Sequence, residues 1–234
     1  MFEGIARDST SSASVLTRLA ARELAEMAES SGAENPGEFW EQLHDACREL
    51  VSAKREMASI VNLVSRVLAA AERAVLSGMS VDAARQAVGL ECSRVWEMGG
   101  TSLEELGLEG ASLIPEGATV ATISTSESVR AILAAAVKSG RNCRVLLSES
   151  RPSVEGVEFG TSLPAWGIPV TLVVDAALPG MVERCGLVLV GADAVSERGF
   201  INKTGTYALA LAAREAGVPV YVAALLDKLI PEGA

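Results

Sequence analysis

Short, continuously apolar segments alternate with helical segments in the second half of the chain, and this alternation constrains the fold more than any other feature. Apolar runs that stay hydrophobic at every position are typical of strands buried on both faces, as in parallel sheets covered by helices. Helical patterns between the runs supply the right-handed crossovers that parallel strands need. The five predicted strands are residues 119–124, 144–148, 169–174, 187–190 and 219–222.

The first 110 residues have helical periodicity instead. Apolar positions recur every three to five residues in three segments that end near Ser30, Ser52 and Leu76, and a fourth helix begins near Ser80. Glycines and a proline are frequent in residues 99–117, which predicts a joint. The fold class is therefore α/β, with a helical subdomain and joint at 1–110 and an α/β domain with a mostly parallel sheet at 111–234.

Charge and composition exclude several functions. With 20 Lys and Arg against 30 Asp and Glu, the formal charge is −10, which argues against nucleic acid as the partner. One His and four Cys without a CxxC spacing predict no metal site, and the four cysteines are expected to be buried thiols. The N-terminal segment has no apolar signal core, and no run reaches the length of a membrane span. We expect a cytoplasmic protein without a membrane partner or a cofactor.

Polar residues follow four of the predicted strands directly. In an open parallel sheet, ligands bind outside the carboxyl ends of the strands, so these residues are expected at one edge. Each residue alone also fits the cap of a following helix. The segments are Ser124–Ser126, Glu149–Arg151, Asp175 and Gly191–Asp193.

A second candidate site lies where a helix begins after residue 202. Asn202 and Lys203 precede a helix that ends at Gly217, and a helix N-terminus with a lysine beside it favours a phosphate. The alternative is a solvated lysine at a helix start. The segment is not a P-loop, and no GxGxxG follows the first strand.

Three motifs in this order resemble one protein superfamily. They are residues 148–156 (SESRPSVEG), 167–177 (GIPVTLVVDAA) and 191–206 (GADAVSERGFINKTGT). The superfamily contains the translation initiation factor 2B alpha/beta/delta subunits, methylthioribose-1-phosphate isomerase and ribose-1,5-bisphosphate isomerase. The resemblance implies a helical N-terminal subdomain, a Rossmann-like C-terminal domain and a homodimer or larger assembly. Family members commonly continue past the last strand, whereas this sequence ends at 231–234.

The resemblance also implies site residues. The isomerases pair a Cys after the first strand with an Asp, and the matching positions here are Ser124 and Asp193. A serine hydroxyl has a far higher pKa than a thiol and needs a base. The family's Arg-Pro phosphate motif corresponds to Lys54 and Arg55, where the Pro is absent.

Three functions are compatible with these residues, and whether the chain is an enzyme stays open. The leading interpretation is a regulatory, initiation factor 2B-like protein that binds a phosphorylated ribose or a nucleotide without efficient catalysis. The alternative is an aldose–ketose isomerase acting on a ribose phosphate, and the third is an assembly subunit without a ligand. Besides Ser124 and Asp193, the expected ligand-binding residues are Arg151, Asn202, Lys203, Ser126, Lys54 and Arg55.

Overall fold

The computed structural model describes residues 1–230, without the side chain of residue 98. The described chain divides into two compact units. The helical unit contains residues 1–8, 13–101 and 227–230, and the α/β unit contains residues 9–12 and 102–226. The expectation that concerned the C-terminal residues 231–234 lies outside the described residues.

Amphipathic helices form the helical unit. The third of them shows a local signal clearly, because the Asn35 side chain caps it by accepting the backbone N–H of Glu38 at 3.0 Å, with Pro36 at its first position. The apolar stripes of the helices meet in one core, in which Phe39, Leu43 and Leu63 are fully buried. The helices are α1 (Glu3–Arg7), α2 (Ala13–Ser30), α3 (Pro36–Ala53), α4 (Ala58–Leu76) and α5 (Val81–Ser112, of which residues 81–101 belong to this unit).

The predicted joint at 99–117 is wrong over most of its length, because α5 continues to Ser112. Two of the glycines that suggested a joint, Gly107 and Gly110, serve helix packing instead. A Cβ on Gly110 would come within 2.5 Å of the Ile132 side chain, and one on Gly107 would reach the Ala131 carbonyl oxygen at 3.0 Å. Within this segment, Gly117 marks a turn, with φ +72°.

The α/β unit has the predicted parallel sheet, and all five predicted strands are confirmed. The sheet strands are β1 (Ala118–Thr122), β2 (Cys143–Ser148), β3 (Val170–Val173), β4 (Leu187–Gly191) and β7 (Val220–Ala223). The strand order is β3-β2-β1-β4-β7, with every pairing parallel. The crossing helices are α6 (Glu127–Lys138), α7 (Glu155–Ser162), α8 (Leu178–Met181) and α9 (Thr206–Ala216).

A small antiparallel hairpin, β5 (Ala194–Ser196) and β6 (Gly199–Ile201), was not predicted from the sequence. Its strands have three residues each, and β6 is exposed throughout, so neither strand carries an apolar run. The hairpin lies directly between the end of β4 and residue 202.

The central strands β1, β2 and β4 are buried on both faces, as the continuous apolar runs predict, whereas the edge strands β3 and β7 are partly exposed. Val120, Val145 and Leu189 pack towards α6 and α7 on one face. Ala121 and Val188 pack towards α8 and α9 on the other. No helix among residues 1–230 is both long enough and apolar enough to cross a membrane.

Candidate functional site

The candidate site lies at the carboxyl edge of the sheet, where the chain order reverses. Strand β1 pairs with β2 on one side and with β4 on the other, so the segments that follow β1 and β4 diverge from a common point. In open α/β sheets this switch point is the usual ligand crevice. Ser124 follows β1 and Asp193 follows β4.

A buried carboxylate joins two of the predicted site residues. The Ser124 hydroxyl donates to Glu155 Oε1 at 2.8 Å, and Lys203 Nζ lies 2.5 Å from the same oxygen. Only 5% of the Glu155 side chain is exposed, and 16% of the Lys203 side chain. The second carboxylate oxygen, Glu155 Oε2, is buried and has no hydrogen-bond partner in the described part of the chain. Glu155, Ser124 and Lys203 are called the Glu155 cluster below.

Lys203 therefore has an anion partner inside the protein. A lysine before a helix N-terminus opposes the helix dipole, and the sequence indicated that an anion would compensate it. That anion is the Glu155 carboxylate in this structure. A phosphate that binds Lys203 would have to share its ammonium group with Glu155.

Unusual backbone conformations hold Glu155 in place. Ser124, Ser150 and Val154 adopt left-handed φ angles of +67°, +66° and +53°. Each such conformation costs about 1–3 kcal/mol in a non-glycine residue and persists only where the surroundings enforce it. The Ser150 hydroxyl enforces one of them by accepting the Ser124 backbone N–H at 2.7 Å. A Cβ on Gly156 would collide with the Ser148 carbonyl oxygen, so α7 starts against the end of β2.

Asp175 ties the segment after β2 to the end of β3. Its two carboxylate oxygens accept the backbone N–H groups of Ser150 and Arg151, each at 2.8 Å. Burial raises the pKa of Asp175, but hydrogen bonds from Arg151, Ser148 and Ser150 and the charge of Lys203 outweigh it, so the pKa lies below its usual range. The charged Asp175 carboxylate, called the charged latch below, thus holds the segment after β2 against the end of β3.

A cleft of about 330 Å³ opens at the same edge, a volume at the lower end for small-molecule sites. Its lining is mostly apolar and comes from the segments after β1 and β3 and from the start of α9. Ile123 adjoins Ser124 in the chain, and Gly205 lies two residues after Lys203. The lining residues are Ile123, Asp175, Ala176, Leu178, Pro179, Gly205, Ala208 and Leu209.

Three other predicted residues are held by local contacts at this edge. Asp193 is half-buried, and its backbone N–H donates to the Ile201 carbonyl of the hairpin at 2.8 Å. The Asn202 amide donates to the Thr206 hydroxyl at 3.0 Å, which fixes it against the first turn of α9. The Ser126 hydroxyl caps α6 by accepting the Val129 N–H at 3.4 Å.

Arg151 carries a largely exposed charge at the same edge. Its Nε lies 3.1 Å from Glu149 Oε2, and 68% of its side chain is exposed. An exposed arginine in a single ion pair can be recruited by an anionic ligand at small cost.

Lys54 and Arg55 belong to the helical unit. Lys54 is buried at the end of α3, where its Nζ donates to the Asp8 carbonyl at 2.6 Å. Arg55 is exposed. Both residues remain predicted ligand contacts.

Sequence reasoning placed Glu155 in a motif but assigned it no role. The available signal was a carboxylate in the first turn of a helix, followed by glycine, after a strand that ends in Ser148. That pattern also fits an ordinary helix start, where acidic residues favour the dipole. Only the fold brings Glu155 against Ser124 and Lys203, which are 31 and 48 residues away in the chain.

Comparison with known proteins gives a family model that matches residues 9–233, described as the initiation factor 2 subunit family. A ribose 1,5-bisphosphate isomerase of Haloterrigena turkmenica is 35% identical over 221 residues. The alignment covers 94% of this chain and 66% of that protein, so the chain spans just under two thirds of this relative's length.

Two solved structures have the same fold. The translation initiation factor eIF-2B of Pyrococcus horikoshii OT3 superposes with a TM-score of 0.87 at 27% identity, over 98% of this chain and 78% of that one. The tetrameric eIF2B-beta2-delta2 complex of C. thermophilum gives a TM-score of 0.80 at 23% identity, over 98% of this chain and 77% of that one, which is a likeness of fold alone.

Proposed function

Because the chain belongs to the initiation factor 2 subunit family, we propose that it binds a phosphorylated ribose at the carboxyl edge of its sheet and isomerises it from aldose to ketose. The observation that carries the proposal is the Glu155 cluster, which sets a hydroxyl, a carboxylate and an ammonium group together beside the cleft. A ribose 1,5-bisphosphate isomerase at 35% identity supports the reaction class.

The isomerase now ranks above the non-catalytic regulator, which reverses the ranking that the sequence favoured. Ser124 in place of a cysteine made a non-catalytic regulator the leading interpretation, because no base was visible near the hydroxyl. A carboxylate 2.8 Å from that hydroxyl supplies a candidate base and so supports the isomerase. The relatives also favour the isomerase over the regulator.

Two hydrogen movements define the proposed reaction. In a sugar 1-phosphate, the hydrogen on C2 moves to C1, the hydroxyl proton on O2 moves to the ring oxygen, and the bond from C1 to that oxygen breaks. The protein gains and loses no proton overall. We assign the transfer between the oxygens to Asp193 and the transfer between the carbons to the Ser124 position.

The remaining predicted residues bind the phosphorylated end of the ligand in this proposal. Asn202 and Lys203 lie before α9, and Arg151 has an exposed charge that can turn towards a phosphate. Ser126 contributes through the start of α6. Lys54 and Arg55 are proposed contacts for a second phosphate.

A second function keeps the same site without turnover. It is regulatory binding of a phosphorylated ribose or a nucleotide, and it is favoured by the absence of a thiol at position 124. In either case we propose a cytoplasmic protein that assembles with a second copy or with related subunits. The tetrameric eIF2B-beta2-delta2 complex, which has this fold, is itself such an assembly.

A phosphorus NMR time course distinguishes the two functions. The purified protein is mixed in turn with ribose 1,5-bisphosphate, methylthioribose 1-phosphate and AMP. Isomerisation predicts new resonances that grow in proportion to protein concentration, and Asp193→Asn serves as the inactive control. Line broadening without new resonances would overturn the isomerase in favour of the regulator. Unchanged spectra with all three compounds would contradict both functions.

A further inference from the structure

We infer that Glu155 is the positioning residue that makes Ser124 competent for proton transfer, so that a serine–carboxylate pair replaces an ionisable thiol. The inference rests on the proposed function and adds a residue and a role to it. Its starting point is the 2.8 Å hydrogen bond that Ser124 donates to Glu155 Oε1.

The geometry favours this role because the hydroxyl proton already points at its acceptor. With Ser124 Oγ donating to Glu155, the lone pairs of that oxygen are left for another partner. The Ser124 backbone is fixed by the Ser150 hydroxyl in a left-handed conformation. The direction of the Ser124 side chain is therefore set from both its backbone and its hydroxyl.

Burial strengthens the effect of the carboxylate. Only 5% of the Glu155 side chain is exposed, and the facing ammonium group of Lys203 balances its charge. Hydrogen bonds to an ionised group are about twice as strong as neutral ones, and more so away from water. An ordinary structural ion pair would not need a serine hydroxyl held at the same oxygen.

The proton relay balances in both directions. The bond between C2 and its hydrogen breaks, Ser124 Oγ accepts that proton, and the original hydroxyl proton passes to Glu155 Oε1. The electron pair left on C2 forms the double bond between C1 and C2 as the bond from C1 to the ring oxygen breaks, and that oxygen takes the O2 proton through Asp193. The electron pair left on O2 then forms the C2 carbonyl, and the electrons of the double bond form the new bond from C1 to hydrogen. The reverse relay then places a proton on C1, and both side chains return to their starting state.

The first test replaces the hydroxyl by a thiol whose ionisation can be measured without any substrate. In Ser124→Cys, the Glu155 carboxylate should raise the pKa of the new thiol, because a neighbouring negative charge disfavours the thiolate. Ser124→Cys with Glu155→Gln should carry at least about tenfold more thiolate at neutral pH, which is one pKa unit. The measurement is the pH dependence of alkylation, with the modified residue identified by mass spectrometry.

The four native cysteines should not interfere with this alkylation measurement. All four are buried and free. Burial raises the pKa of Cys47 and of Cys92 to about 12, and it also raises the pKa of Cys143 and Cys185.

A matched control combines Ser124→Cys with Glu158→Gln, since Glu158 lies on the same helix and is exposed. The thiol of this control should titrate as it does in Ser124→Cys alone. Equal thiol titration in the Glu155→Gln and Glu158→Gln double variants would overturn the inference.

The second test measures turnover. Glu155→Gln should lower kcat by about 100-fold with little change in KM, because general acid–base groups contribute that much or more. In a Ser124→Ala background the same change should cost no more than about twofold, since the relay is already broken. If Glu155→Gln and Ser124→Ala instead lowered kcat by independent factors that multiply in the double variant, the relay would be contradicted. If Glu155→Gln does not fold, Glu155→Asp takes its place. It keeps a negative charge for Lys203 but moves the carboxylate away from the Ser124 hydroxyl, so it should also lower kcat.

These two tests separate the inference from the proposed function. A shifted thiol titration without turnover in the parent protein would refute the isomerase, and the relay with it, while confirming the contact. Turnover with an unshifted titration would leave the isomerase and overturn the role of Glu155.

Discussion

Lysines with little solvent exposure are used differently in the two units. In the α/β unit, Lys203 faces the carboxylate of Glu155. In the helical unit, Lys54 donates to the Asp8 backbone carbonyl at 2.6 Å. A carbonyl acceptor fastens one chain segment to another, whereas a carboxylate brings a second charge that can exchange a proton.

Strained backbone conformations also distinguish the two units. The left-handed non-glycine residues among those described, Ser124, Ser150 and Val154, all lie in the α/β unit around Glu155. The polar contacts of the helical unit join regular elements instead. Thr17 and Ser59, on α2 and α4, share a buried hydrogen bond of 2.7 Å, and Asn62 on α4 binds the carbonyls of Asp227 and Leu229. Strained conformations of this kind cluster at active sites and ligand sites, so their position supports the proposed site.

The largest expected effect comes from Lys203→Met. It leaves the Glu155 carboxylate buried without its cation, which costs about 3–5 kcal/mol of unfolding free energy. Denaturant unfolding near neutral pH measures the loss, and a second change, Glu155→Gln, should restore most of it. The matched control is Lys54→Met in the helical unit, which removes only a bond to a carbonyl. Equal losses in the two single variants would remove the distinction between the units.

Gly156→Ala should come next. Its Cβ would collide with the Ser148 carbonyl oxygen and lies 2.8 Å from the Ser150 hydroxyl, so backbone must move. Forced overpacking of this kind costs about 1–3 kcal/mol. Gly89→Ala in α5 is the control in the helical unit, because no atom lies within 4 Å of the added Cβ. There the change should stabilise the protein by about 0.5–1 kcal/mol. Thermal unfolding followed by circular dichroism compares the pair, and a neutral Gly156→Ala would contradict the tight junction.

Asp175→Asn tests the charged latch through pH. The pKa of Asp175 is lowered in the folded protein, so its stabilisation is complete above the unfolded value, near 3.8, and is lost as the pH falls through the folded value. The asparagine variant should lose about 1.5–3 kcal/mol at neutral pH, the range for hydrogen bonds to a charged group. It should also have a smaller further loss between about pH 4 and pH 2. If the unfolding free energies of the parent protein and of Asp175→Asn fell in parallel over this acid range, the role of Asp175 as a charged latch would be contradicted.

Ser59→Ala has the smallest expected effect. It removes the hydroxyl shared by Thr17 and Lys228, which costs about 1 kcal/mol. Turnover or ligand binding should be unchanged within error, because the helical unit uses this contact as a fastening. A loss of activity at full stability would mean that the buried contact between Thr17 and Ser59 has a functional role.

Much of the fold followed from local patterns. The five sheet strands were predictable, because the central strands are buried on both faces and leave a continuous apolar signature. Helices α6 and α9 were predictable too, whereas the four-residue α8 was not predicted. The joint at 99–117 was mispredicted, since Gly107 and Gly110 carry the same sequence signal whether they break a helix or let α6 pack closely. The hairpin of β5 and β6 had no signal, because exposed strands of three residues need no apolar pattern.

The sequence by itself determined which polar residues reach the carboxyl edge of the sheet, because parallel strands end together whatever their order. It also placed Ser124, Asp193 and Lys203 in their segments. The tertiary structure alone decided that Glu155 stands between Ser124 and Lys203. That pairing depends on the strand order and on close packing at Gly156, and such distances between remote residues leave no periodic trace in the chain.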